Sequence, residues 1–248
     1  MIDSEPMRIL AWEGCLNARD LGGYRTTDGR QTRWGAVVRS DYPGRLSPAG
    51  RQALVAYGVR TIVDLRLPLE LDEHLHPFAE PGEHGIQYIH RSLITPGVPP
   101  PPDWDQMPLI DDYIDVIDRF QDRITDVIRT ISTAPDGGVV VHCAVGKDRT
   151  GITCGMLLDL VGVERETIGI DYAMSDECLA SERLDFLENG PGEREEREQF
   201  IVRTTPHPEV MVGVLEHLDR EHGGTANYLF SGGMEEQDLE RLAQRLLD

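Results

Sequence analysis

The residues best suited to covalent chemistry lie in one run, His142-Cys143-Ala144-Val145-Gly146-Lys147-Asp148-Arg149-Thr150-Gly151. Val139, Val140 and Val141 precede it and read as a short buried strand. Ile152, Met156, Leu157 and Leu160 follow at helical spacing. The cysteine therefore stands where a strand ends and a helix begins, the place where α/β sheets hold ligands. The first N–H groups of a helix have no intrahelical partner and carry the positive end of its dipole. Successive amides in a tight loop form a nest for an oxyanion. Arg149 adds a planar fork that matches two phosphate oxygens. The same field favours a thiolate at Cys143. A thiolate and an oxyanion site in one loop predict attack at phosphorus through a covalent thiophosphate.

Each residue of the run then has a role. Cys143 attacks, while Arg149 and the backbone N–H groups from Ala144 to Arg149, those of Val145, Gly146 and Lys147 among them, hold the equatorial oxygens. This is the positioning and charge stabilisation that phosphoryl transfer needs. Thr150 donates a hydrogen bond to Cys143 and makes it a better leaving group in the second step. His142 orients the loop. Lys147 is either a second cation for the substrate or a solvent-facing charge.

Cys143, five residues and Arg149 match the Cys-x5-Arg signature of the protein-tyrosine phosphatase superfamily. The full ten-residue run resembles the bacterial atypical tyrosine/dual-specificity phosphatases, whose loops carry Gly-Lys-Asp-Arg-Thr. Asn17-Ala18-Arg19-Asp20-Leu21-Gly22-Gly23-Tyr24 is similar to the N-terminal motif of that family, and Gly58 to Arg66 to its Asp-Leu-Arg strand. The bare signature is common, whereas three motifs in the expected order are specific. The resemblance runs from about Glu13 to the C-terminus. It implies a tail over 1–12 and a phosphatase domain over 13–248. Asp148 is then the first choice for the general acid, because like-charge repulsion from a bound phosphate keeps a neighbouring carboxyl protonated. Asp64 is second, then Asp103 or Asp105, although no Trp-Pro-Asp order occurs. Asn17, Arg19 and Asp20 would support the loop, and Asp64 and Arg66 would join the substrate site; otherwise these are a turn and an ion pair. The implied substrates are phosphotyrosine, with phosphoserine/threonine or phosphoinositide as extensions. No cofactor and no metal are required. Two other classes use the same residues differently: a rhodanese-like sulfurtransferase, and a catalytically silent phosphate-binding module. A buried structural cysteine is the plainest alternative.

Composition narrows the field. The 248 residues are 40% hydrophobic and 27% charged, an ordinary folded domain with a substantial core. A formal net charge of −20 argues against nucleic acid and anionic membrane as partners, so phosphate must be drawn by a local site. Cys15, Cys143, Cys154 and Cys178 form no close pair, which suggests neither zinc nor a disulfide framework and fits a reducing, cytoplasmic compartment. No signal peptide is recognised in the first residues, and no run reaches the about 18 apolar residues of a spanning helix. Oligomeric state is not legible.

The elements that must position the site follow from pattern. Strands are expected over 34–39, 60–65 and 86–93, besides the valine run. Helices are expected from Ser47-Pro48 to about Tyr57, over 111–131 as one amphipathic stripe, from Thr150 to about Leu160, and over 164–174, 177–188, 209–221, 225–230 and 235–247. Residues 70–90 look irregular and carry His74, His76, His84 and His90; a metal site of His74, His76 and nearby Glu residues is conceivable but fits no familiar spacing. Four prolines, Pro99 to Pro102, read as a stiff exposed segment, with a substrate loop as the alternative. The charged stretch 193–199 reads as a solvated helix end or loop, or as the lid helix seen in some relatives. The whole is predicted to be one α/β domain with a central, mostly parallel sheet of four or five strands, helices on both faces and a helical C-terminal third.

Overall fold

The computed structural model describes residues 7–73, 76–79 and 85–248. Five strands form one sheet in the order β1-β2-β5-β3-β4. They are β1 (Arg19–Asp20), β2 (Val37–Ser40), β3 (Val59–Asp64), β4 (Gln87–His90) and β5 (Gly138–His142). Only β1 runs antiparallel to its neighbour. Side chains alternate across the pleat. Val38, Ile62 and Val140 face one core cluster with Trp12 and Leu54. Val37, Val63, Val139 and Val141 face the other. Burial on both faces is why these strands read as unbroken β-branched runs rather than alternations. The parallel register sets Ser40 beside His142, His142 beside Asp64, and Asp64 beside His90. The carboxyl edge of the sheet therefore assembles one residue from each of four strands.

Helix α1 (Pro48–Ala56) covers the first face, with Ser47 capping it by accepting from the Gly50 N–H. A short α2 (Pro68–Glu73) follows β3. The second face carries α3 (Leu109–Arg119), α4 (Gln121–Ser132) and α5 (Asp148–Leu160). Residues 150–158 of α5 are all buried, because the helix is sandwiched between the sheet and an outer layer. That layer is α6 (Arg165–Cys178), α7 (Ala180–Asn189), α8 (Arg194–Thr204), α9 (Pro208–His222), α10 (Thr225–Ser231) and α11 (Glu236–Leu246).

Three expectations change. The stripe over 111–131 is two helices, since Phe120 leaves helical geometry at φ −124° while its ring stays buried; apolar spacing runs across the break, so periodicity hid it. Residues 70–73 are helical rather than irregular. The stretch 193–199 is the first part of a regular α8, closed by a capping box between Glu193 and Glu196. The proline run is exposed over Pro99 and Pro100. His74 and His84 lie outside the described residues.

Candidate active site

The loop between β5 and α5 is shaped from outside. Gly146 adopts φ +70°, and a Cβ there would sit 2.4 Å from the Ser40 carbonyl oxygen, so only glycine fits. Three consecutive carbonyls of the loop are held by residues far away in sequence. The Tyr42 N–H donates to Ala144 O at 3.1 Å. Asn17 Nδ2 donates to Val145 O at 2.9 Å, and Arg39 Nη2 donates to Gly146 O at 3.0 Å. With its carbonyls turned outward, the loop turns its amides inward. Among the described residues, no acceptor takes the N–H groups of residues 144–149. Cys143 sits at the base, 1% exposed, beneath this concave row of donors at the start of α5.

The residues that grip the loop are anchored in turn. Asp171 of α6 lies between two buried guanidiniums, at 3.2 Å from Arg19 and 2.7 Å from Arg39, and accepts from the Tyr24 hydroxyl. Burial opposes its charge, but Arg19 and then Arg39 outweigh it and hold the carboxyl at about 2. Arg19 also donates to Asn17 Oδ1, so the side chain that holds Val145 is itself fixed. Asp41 accepts the N–H groups of Leu16 and Asn17.

Three charged side chains of the loop and the helix start face the pocket above it. Arg149 makes a two-pronged pair with Glu70 of α2, at 2.6 and 2.8 Å. Burial opposes the charge on Glu70, and Arg149 more than offsets it, so the carboxyl stays below its ordinary range. Both Nη atoms are engaged, which leaves Nε and the remaining hydrogens for an anion. Asp148 Oδ1 accepts from the Tyr113 hydroxyl at 2.5 Å, and Tyr113 meets the Tyr172 hydroxyl at 2.8 Å. Asp148 Oδ2 takes no hydrogen bond among the described residues. Lys147 Nζ donates to Thr204 O at the end of α8 and lies 3.5 Å from Asp148. The pocket, about 310 Å³, takes its wall opposite the loop from α3 and α8.

Asp64 and Arg66 lie beneath this pocket rather than in it. Arg66 forks onto Asp64 and stacks on the Tyr42 ring at 4.1 Å. Tyr88 also donates to Asp64. Burial works against the Asp64 charge, yet His142 and Arg66 hold the carboxyl below its usual range, which removes it as a proton donor. His142 is fully buried, and that burial keeps it below the ordinary histidine value; its Nδ1 meets the Cys143 carbonyl at 2.9 Å. Asp64, His76 and His142 bring three polar atoms within 4.8 Å of one another, a spacing a cation could use. However, Asp64 is already spent on Arg66 and Tyr88, and His76 Nδ1 accepts from the Phe78 N–H, so its Nε2 carries the proton and has no lone pair to give. On α3 and α9, Asp118, His217 and His222 form a second such group, in which His217 already bonds Asp118 at 2.8 Å.

A tyrosine phosphatase family model matches residues 10–248. The chain belongs to the tyrosine phosphatase family. It is 34% identical over 221 residues to a tyrosine-protein phosphatase of Nostoc commune, covering 85% of this chain and 74% of that one. It is 24% identical over 279 aligned positions to the triple specificity protein phosphatase PtpB of Mycobacterium tuberculosis, covering 97% and 100%.

Within this phosphatase, Cys143, Ala144, Val145, Gly146, Lys147, Asp148, Arg149 and Thr150 come together as one loop and helix start. Asn17 and Arg19 brace that loop. Asp20 does not: it accepts from Gly22 N, Gly35 N and the Tyr57 hydroxyl, and fixes the turn at the other end of β1. Thr150 Oγ1 is buried with no protein partner among the described residues. Asp103 and Asp105 do not line the pocket. Residues not anticipated are Glu70, Tyr113, Arg39, Asp41 and Asp171. Of these only Arg39 carried a signal, as a lone charge closing a β run.

Proposed function

We propose that the protein is a cysteine-dependent phosphatase acting on phosphotyrosine. What carries the reading is the inward row of amides from residues 144 to 149 above Cys143, with Arg149 fixed at its rim by Glu70. The Cys143 thiolate attacks phosphorus, the bond to the leaving oxygen breaks, and that oxygen takes the proton from Asp148 Oδ2. Amides and Arg149 stabilise the equatorial oxygens in the transition state. In the second step Asp148 accepts a proton from water, the water oxygen bonds phosphorus, and the sulfur–phosphorus bond breaks to return the thiolate. Thr150 lies in the first turn of α5, with its hydroxyl free among the described residues to stabilise that thiolate.

Lys147 beside Asp148 supports a wider range, phosphoserine/threonine or phosphoinositide, and a relative named for triple specificity supports the same extension. The net charge of −20 disfavours nucleic acid. No described helix is long and apolar enough to cross a membrane. Four free cysteines fit a reducing, cytoplasmic setting. The test is hydrolysis of para-nitrophenyl phosphate by wild type and Cys143→Ser, with EDTA and reductant, and with vanadate as inhibitor. Metal-independent turnover lost in Cys143→Ser is expected, after which phosphotyrosine, phosphoserine and phosphoinositide can be ranked. A wild type with no turnover, or a serine variant that keeps it, overturns the mechanism.

A further inference from the structure

A second cavity opens beside the catalytic pocket. It measures about 240 Å³ and is walled by Val98, Pro99, Pro100, Pro101 and Phe120. It shares Leu67, Ile94, Trp104, Asp112 and Val116 with the catalytic pocket, so the two are one trough leading from Arg149 to the proline run. The trough is built before any ligand arrives. Proline fixes its own φ, and Pro99 O accepts from Arg119 Nη2 at 2.8 Å, while Arg119 pairs with Asp115 on α3. The Trp104 indole N–H donates to Asp112 Oδ1 at 2.8 Å, and its ring stays 40% exposed. Val98 is 38% exposed. Rigid, half-open aromatic and aliphatic walls bind with little ordering cost.

We propose that this trough binds the polypeptide that flanks the phosphorylated residue and selects a large apolar side chain there, with Trp104 and Val98 as specificity-determining residues. The inference rests on the phosphatase reading and adds the substrate class to it. The trough is continuous with the phosphate loop, so whatever fills it is joined to the phosphoryl group. Its volume is several times the ~30 Å³ share of one water, enough for a single leucine or phenylalanine side chain. Asp112, Asp115 and Arg119 line it, with Arg119 paired to Asp115. The overall charge of −20 disfavours an anionic lipid surface, and the apolar walls favour a neutral flank over an acidic one. The proline run is thus exposed and stiff, and at the same time one wall of a binding trough.

The experiment compares three substrates: para-nitrophenyl phosphate, a phosphotyrosyl peptide with leucines on both flanks, and the same peptide with glutamates there. Burying one leucine against these walls raises kcat/KM for the leucine peptide about tenfold over the glutamate peptide, chiefly through KM. Val98→Glu, remote from the catalytic loop and exposed, reduces that preference to within about twofold while para-nitrophenyl phosphate turnover stays at the wild-type rate. Trp104→Ala, in the wall shared with the catalytic pocket, also erases the preference. Equal rates on the two peptides, or a preference that survives both substitutions, overturns the proposal. So does phosphoinositide hydrolysis in anionic vesicles that Val98→Glu suppresses without a peptide preference, since that would put a membrane in the trough. A wild type that fails on para-nitrophenyl phosphate refutes the phosphatase reading instead.

Discussion

Replacing Asp171 with asparagine tests whether the phosphate loop is held by buried charge. The side chain is 1% exposed and sits between Arg19 and Arg39, themselves 0% and 1% exposed. The pair of guanidiniums holds the carboxyl at about 2, against an ordinary 3.8, which corresponds to about 2 to 3 kcal/mol of preference for the charged form. Asparagine keeps the shape but leaves two buried cations without a counter-charge, and breaking buried pairs in this way costs about 3 to 5 kcal/mol. That is a large share of the roughly 5 to 15 kcal/mol of a folded domain. Urea unfolding should show the loss as a lower midpoint at unchanged slope, and Tm should fall by roughly 6 to 20 °C. The folded value lies below the unfolded one, so the stabilisation is complete above about pH 4 and disappears as pH falls toward about 2; Asp171→Asn should lack that part of the acid-stability profile. The control is Asp126→Asn, whose pair with Arg91 is about half exposed at 45% and 48% and should cost less than about 1 kcal/mol. A loss below about 1 kcal/mol for Asp171→Asn, or an equal loss in the control, would refute the reasoning. kcat/KM should fall as well, because Arg39 also holds Gly146 O.

Two further perturbations probe the loop itself. Asp148→Asn should lower kcat by about 10² to 10⁴, with a larger loss on alkyl than on para-nitrophenyl phosphates because a poor leaving group depends more on the acid; equal losses would point to another donor. Gly146→Ala forces an L side chain into φ +70° and against Ser40 O at 2.4 Å, so it should lose about 1 to 2 kcal/mol from the backbone alone, together with most vanadate affinity by calorimetry; wild-type affinity would show that the loop does not need its observed shape.

What the sequence revealed and what it hid divide along the range of the interactions. The valine run, the strand-to-helix turn and the donor-rich loop are local, and they place Cys143, Arg149 and Asp148 without any knowledge of the fold. Glu70 was hidden because its partner lies 79 residues away and its six-residue helix is too short to show a period. Tyr113 was hidden because its ring fits the apolar stripe of α3, and only the fold shows its hydroxyl meeting Asp148. Asp64 and Arg66, two residues apart, were legible as a pair but not as a buried one, since burial depends on Tyr42 and Tyr88 from other segments. The break at Phe120 was invisible because one apolar stripe serves both α3 and α4.

The outward grip on the catalytic loop also dictates when activity can appear. Asn17 and Val145 are 128 residues apart, and Arg39 and Gly146 are 107 apart. Closing such contacts comes late, after the local helices, which carry far less loop entropy. The loop has the right residues as soon as β5 and α5 are made, but it acquires its curvature only when the first forty residues dock against it. Return of catalysis during refolding should therefore lag behind return of helical circular dichroism, and the enzyme reports on closure of contacts more than a hundred residues long.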